Sequence, residues 1–130
     1  MTLFPSVTRP GGGGSSTARS VAIAERGVRN LLIHAGILRG AIDLQPSLVL
    51  DMPDASCFIA SEHDGLLEMC RDLGEHVTQG EVVARIYDAT RSGVAPVEYR
   101  AARSGLLAAR HFPGLVQCGD TLAVIADVLA

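Results

Sequence analysis

All eleven basic residues of this 130-residue chain are arginine; lysine and tryptophan are missing altogether, and aromatic residues make up only 4%. The missing lysine removes the one side-chain amine that could be acylated, because a guanidinium stays protonated under all ordinary conditions. Any role that tethers an acyl cofactor to a side-chain amine is therefore excluded. With 48% hydrophobic residues and so few rings, the core must be aliphatic. The cysteines Cys57, Cys70 and Cys118 form neither a C-x-x-C pair nor a disulfide ladder, so reduced, partly buried structural thiols are expected. Cys118 has no neighbour that argues for a nucleophile. No segment approaches the roughly 20 apolar residues of a membrane span. Met1 to Val7 lacks the charged start and apolar run of an export signal, so the expected location is cytoplasmic. A net charge of -3, with scattered arginines and no basic run interleaved with aromatics, predicts neither nucleic acid nor an anionic membrane as a partner.

One motif occurs twice. Its first copy is Gly65-Leu66-Leu67, then Gly74, Val77, Gly80-Glu81, Val83-Ala84 and Ile86; its second is Gly105-Leu106-Leu107, then Gly114, Val116, Gly119-Asp120, Leu122-Ala123 and Ile125. Gly65 to Gly105 and Gly74 to Gly114 are 40 apart, whereas Gly80 to Gly119 and Ile86 to Ile125 are 39 apart, so the second turn lacks one residue. Near-constant spacing means one supersecondary unit used twice. Each copy reads as a short strand, a glycine turn and a second strand of alternating apolar residues. Packed face to face, Leu66, Leu67, Val77, Val83 and Ile86 are expected to meet Leu106, Leu107, Val116, Leu122 and Ile125 in a small β-sandwich. A unit of this size is marginally stabilised by its own core, so a partner surface is plausible.

The N-terminal section differs in character. Gly11 to Gly14 and then Ser15, Ser16 and Thr17 read as a loop running into a helix cap. Val21, Ala24, Val28, Leu31, Leu32 and Ala35 recur at helical spacing, with Arg19, Arg26 and Asn30 on the opposite face. The spacing predicts a helix over about 17–35 that stops at Gly36. A glycine loop before a helix could cradle a phosphate. The specific form of that motif needs a lysine followed by Ser or Thr, and a plain connection is the favoured reading.

The duplicated β-unit resembles the barrel-sandwich hybrid fold of lipoyl and biotinyl carrier domains, although without lysine the carrier chemistry does not carry over. A second resemblance covers the chain from about Thr8 onward. Gly11-Gly-Gly-Gly-Ser-Ser-Thr-Ala-Arg-Ser, Gly27-Val28-Arg29-Asn30-Leu31-Leu32, Leu50-Asp51-Met52-Pro53, Asp64-Gly65-Leu66-Leu67-Glu68, Ala95-Pro96-Val97-Glu98-Tyr99-Arg100-Ala101 and Arg110-His111-Phe112-Pro113-Gly114 follow in the same order as in the succinylglutamate desuccinylase/aspartoacylase family. The chain is most similar to its bacterial N-acetyl-diaminobutyrate deacetylase branch and corresponds to the C-terminal part of a longer enzyme.

The resemblance implies a zinc-dependent amide hydrolase in which an H-x-x-E pair and a later histidine hold the metal. None of His34, His63, His76 and His111 is followed by glutamate three residues on, so the metal site is expected to lie before Met1, and zinc is not expected to bind this chain. The resemblance places Arg9 where the family has its general-base glutamate, and a guanidinium cannot take a proton from water. It also points to Tyr99 and Arg100 as substrate-binding residues near the active-site mouth, where Arg100 could pair with a carboxylate; Val97 to Ala101 reads equally well as a plain alternating strand. His111 lies in a loop that could line a cleft.

The expected architecture is thus mainly β, a barrel-sandwich-hybrid-like sandwich over 55–130, preceded over 1–54 by a helix and strand from the end of an α/β zinc-hydrolase domain. The leading functional expectation is the C-terminal fragment of a zinc-dependent N-acyl amino-acid deacylase, inactive alone, with a homo-oligomer or a missing N-terminal catalytic half as its partner. The alternative is a stand-alone β-sandwich interaction module without catalysis. The first predicts a wide exposed apolar stripe on the helix; the second predicts a compact, monodisperse protein.

Overall fold

In the computed structural model, residues 16–129 are described. Arg9 and the glycine loop Gly11 to Gly14 lie outside them. The chain divides between Leu48 and Val49 into two units.

The first unit is built on helix α1 (Ala18–His34). Thr17 starts it with a reciprocal cap: the Ser20 amide donates to Thr17 Oγ1 at 3.1 Å, and the Thr17 amide donates to Ser20 Oγ at 2.9 Å. At the other end Gly36 takes φ +73°, and the amides of Gly36 and Ile37 donate to the carbonyls of Ile33 and Leu32, as in a Schellman stop. The helix ends therefore lie where the capping residues place them. Its faces do not follow the apolar spacing. Val21, Val28 and Leu31 are 53%, 57% and 52% exposed, while Ile23, Arg26, Asn30 and Ile33 are half-buried. Asn30 supplies the reason. Its side-chain amide donates to the Asp43 carbonyl at 2.7 Å and accepts from the Asp43 amide at 2.9 Å, which draws the segment after the helix over the face that holds Asn30.

The second unit is all β apart from one short 3-10 turn at Ala55–Cys57. Its strands are β1 (Val49–Asp51), β2 (Phe58–Ala60), β3 (Gly65–Met69), β4 (His76–Val77), β5 (Val82–Tyr87), β6 (Val97–Arg100), β7 (Gly105–Arg110), β8 (Leu115–Val116) and β9 (Thr121–Leu129). They form two antiparallel sheets. One runs β1-β9-β7-β4 with β2 also paired to β9, and the other runs β6-β5-β3-β8.

The duplication is visible in the pairing, but the copies do not pack as separate halves. Strand β3 pairs with β5 of its own copy and with β8 of the other, while β7 pairs with β9 of its own copy and with β4 of the other. Each copy thus lends its two-residue strand to the opposite sheet. The repeat also begins earlier than its glycines suggest, because β2 and β6 lie 40 residues apart and pair with the equivalent strands β9 and β5. Matched hydrogen bonds follow. Ser61 donates its amide to the Asp120 carbonyl at 2.8 Å and Ala101 to that of Glu81 at 2.9 Å; Gly119 donates to the Ser61 carbonyl and Gly80 to that of Ala101. Cys118 donates its amide to Asp64 Oδ1 at 2.7 Å, and Gln79 donates to Ser104 Oγ at 2.9 Å.

The core lies between the sheets and is aliphatic: Val77, Val83, Ile86, Leu107, Val116, Leu122 and Ile125 are buried, with Ile59 and Tyr99 beside them. Each such aliphatic side chain is worth about 1.5–3 kcal/mol on burial. Of the two leucine pairs expected inside, only Leu67 and Leu107 turn toward the core. Leu66 is exposed and Leu106 only half-buried, because successive strand residues face opposite sides and two adjacent leucines cannot both point inward.

Candidate functional site

Strand β6 holds both residues singled out for substrate, and its alternation sends them apart. The Tyr99 ring is 9% exposed. Its hydroxyl accepts from the Glu62 amide at 3.0 Å and shares a 2.7 Å hydrogen bond with His63 Nδ1. Tyr99 therefore pins the turn that follows β2. Arg100 stands on the outer face, donating to the Gly80 carbonyl at 3.0 Å and to Glu98 Oε2 at 2.5 Å. Glu98 is shared with Arg85, which also reaches Glu68, so a row of alternating charge crosses β6, β5 and β3. Tyr87 donates to Glu68 at 2.7 Å, which raises its phenol above the ordinary value.

The turn that Tyr99 pins forms one wall of an open groove of about 360 Å³. Glu62, His63 and Asp64 of that turn line the groove together with Val94 and Val97 and with Asp88 and Arg91 of the connection between β5 and β6. Asp88 accepts from the Thr90 hydroxyl at 2.6 Å, from Arg91 Nε at 2.7 Å and from the Thr90 amide at 2.8 Å, and these bonds hold its carboxyl well below the usual carboxylate range. The groove is thus a concave patch lined by fixed negative charge, one cation bonded to Asp88 and apolar side chains.

The histidine in a cleft is His63, not His111. His111 is mostly buried behind Asp120, with Nε2 3.9 Å from Asp120 Oδ2. His34 ends helix α1 and His76 lies exposed on β4. Cysteine states are mixed: Cys57 is buried, Cys70 half-buried, and Cys118 exposed at the groove rather than partly covered as expected. Among the described residues no three His, Cys, Asp or Glu side chains are grouped to hold a metal. The groove was not visible in the apolar pattern of the repeat; comparing the copies at their polar positions would have marked His63, since its counterpart is Arg103.

Arg103 occupies the matching place in the other half of the unit. Its guanidinium is bonded to Asp127, donates from Nη1 to Cys57 Sγ at 3.2 Å, and lies 3.9 Å from Asp54 Oδ2. Burial works against its charge, but the bond to Asp127 prevails and keeps Arg103 above its ordinary value.

No protein-family model matches the chain. It is 60% identical over 124 residues to the N-alpha-acetyl-L-2,4-diaminobutyric acid deacetylase of Halomonas elongata, a match that takes in 94% of this chain and 36% of that enzyme. Among solved structures, the product-bound ectoine utilization protein EutE of Ruegeria pomeroyi superposes with a TM-score of 0.86 at 55% identity, over 91% of this chain and 36% of that one. A succinylglutamate desuccinylase from Silicibacter sp. TM1040 superposes with a TM-score of 0.85 at 58% identity, over 92% and 36%. The chain spans about a third of the length of each. In sequence and in fold, the chain is a homologue of the C-terminal part of N-acetyl-diaminobutyrate deacetylases and other proteins of the succinylglutamate desuccinylase/aspartoacylase family.

Proposed function

We propose that the chain acts as the C-terminal part of a zinc-dependent N-acyl amino-acid deacylase and does not hydrolyse amides by itself. The observation that carries this reading is the 60% identity to a deacetylase of which the chain spans only 36%. Hydrolysis of a linear amide needs an activated water and a base to take its proton. The sequence offers no H-x-x-E pair, and Arg9 stands where the family resemblance implies the base. The donor set of a zinc hydrolase does not fit the residues present, so no step of hydrolysis passes through a metal held by them. In this reading the β-unit covers the mouth of a catalytic domain. Arg100, exposed on the outer face of β6, is the residue available to a substrate carboxylate, and Tyr99 shapes the neighbouring groove.

The exposed stripe of Val21, Val28 and Leu31 supports this reading over a free-standing module, since a helix that belongs to a larger domain leaves such a face uncovered. The self-contained core of residues 49–130 is the observation that favours the module. The two separate in one experiment. The full chain is mixed with a polypeptide matching the remaining two thirds of the Halomonas deacetylase, and acetate release from N-alpha-acetyl-L-2,4-diaminobutyric acid is followed. The expected result is release from the mixture and none from the chain alone. Hydrolysis by the chain alone, or a well-folded mixture that neither associates nor releases acetate, would overturn the proposal.

A further inference from the structure

The groove beside Tyr99 is the image, under the duplication, of the place that Arg103 fills. His63 corresponds to Arg103 at an offset of 40, and Asp88 corresponds to Asp127 at an offset of 39. Val94 and Val97 correspond to Asp54 and Cys57, again 40 apart. Arg103 touches Asp54, Cys57 and Asp127, and the groove is lined by Val94, Val97 and Asp88 with His63 in the place of the arginine. The turn bonds beside the two places also match, Asp64 accepting from the Cys118 amide and Ser104 from the Gln79 amide. A guanidinium at position 103 closes one half of the unit; position 63 of the other half holds a histidine, and Asp88 there is bonded by Arg91 of its own loop instead.

We propose that this groove is a binding site for the guanidinium group of a small molecule, seated on Asp88 as the guanidinium of Arg103 is seated on Asp127. The proposal rests on the duplication and stands whether or not the deacylase reading does. The ligand's anchor is already ionised, since its hydrogen bonds hold Asp88 in the charged form. A carboxylate offers about four acceptor positions, and Thr90 and Arg91 take three of those on Asp88, leaving one for an incoming N–H. Arg91 bonds the same carboxylate through Nε and lines the groove, but its own side chain is largely exposed. His63 is shorter than the arginine it replaces, and its bond to Tyr99 holds the ring on the wall. Val94 and Val97 offer a methylene stem the apolar surface that an arginine stem ordinarily covers. Glu62 and Asp64, which also line the groove, add negative charge. A groove of about 360 Å³ suits a ligand of amino-acid size.

The test uses the isotope-labelled full chain titrated with L-arginine and, in parallel, with L-citrulline, which matches it in size without the charge. The expected result is that arginine shifts the amides of residues 62–64, 88–95 and 97 and that citrulline binds the same place at least roughly tenfold more weakly, the margin of a charge-assisted pair. Asp88→Asn should weaken arginine binding by a similar factor. His63→Arg should abolish it, because the chain then supplies its own guanidinium. Arginine that leaves the groove amides unmoved, citrulline that binds as tightly as arginine, or Asp88→Asn that binds unchanged would each overturn the proposal. If His63→Arg fails to fold, the citrulline and Asp88→Asn results decide alone.

Discussion

The two copies of the repeat agree in their backbones and disagree in their walls. Residues 58–87 and 98–126 make matching strand pairs apart from a bulge between Leu107 and Ala109 that β3 lacks, yet one half ends in a filled Arg103–Asp127 nest and the other in an open groove. Strand exchange explains the contrast. Each sheet contains strands of both copies, so a change in backbone path in one copy would break pairing in the other, whereas a side chain at the rim meets no such constraint. Duplication therefore conserves what the ladders touch and frees what they do not.

The sharpest way to break the comparison is to alter the glycines that open β3 and β7. A methyl on Gly65 would clash with the Tyr87 carbonyl oxygen and lie 2.7 Å from Ile86 Cγ2, and one on Gly105 would lie 2.5 Å from the Ala126 carbonyl oxygen and 2.9 Å from Ile125 Cγ2. Backbone oxygens cannot rotate away as a side chain can. Gly65→Ala and Gly105→Ala should each cost about 3 kcal/mol or more, since overpacking that must move backbone exceeds the usual range. Denaturant unfolding followed by circular dichroism measures both. Similar losses would show that the two sites are equivalent; tolerance at either would show that the copies are constrained unequally.

The next comparison sets Leu107 against Leu67. They are equivalent by position, but Leu107 is 1% exposed and Leu67 only partly buried. Leu107→Ala should cost about 3–5 kcal/mol and Leu67→Ala about 1–2 kcal/mol, because the cavity penalty falls when solvent or a neighbour can enter the space. The same denaturation experiment reads both. Equal costs would mean that the repeat's symmetry extends to packing and that the difference in burial carries no energetic weight.

Much of this architecture was legible before any coordinates. The glycine and leucine spacing announced the duplication, and Thr17 and Gly36 bounded the helix, because caps and turns act locally and their residues are diagnostic. What was hidden depends on partners distant in sequence. The exchange of β4 and β8 between copies leaves no local trace, since a two-residue strand reads as part of a turn. Asn30 was assigned to the solvent face because periodicity counts apolar residues and cannot see an amide that will bind Asp43. The groove eluded the same pattern, as it is lined at positions where the copies differ, His63 against Arg103 and Val94 against Asp54. Tyr99 was marked by resemblance to the family, and the structure adds the hydrogen bonds through which it pins Glu62 and His63.

The smallest expected effect concerns acid, and it compares the two Gly-acid turns. Glu81 Oε2 accepts from the Thr78 amide at 2.9 Å and Asp120 Oδ2 from the Gln117 amide at 2.8 Å, but only Glu81 is also paired with an arginine, Arg71. The Thr78 amide first, and then Arg71, hold the Glu81 carboxyl below its ordinary value. A carboxylate with a depressed pKa in the folded state binds its proton more weakly there than in the unfolded chain. Its contribution is therefore present above the unfolded value of about 4 and disappears as pH falls through the folded value. The melting temperature of the chain should decline as pH is lowered from about 6 toward 3, and Glu81→Gln should lower it slightly at pH 6 while flattening the decline. Salt should shrink the difference, because the Arg71 partner is exposed and screened. If Glu81→Gln left the acid limb unchanged, the bonds from Thr78 and Arg71 would contribute nothing to the stability of this turn, and its added arginine would not distinguish it from the turn at Asp120.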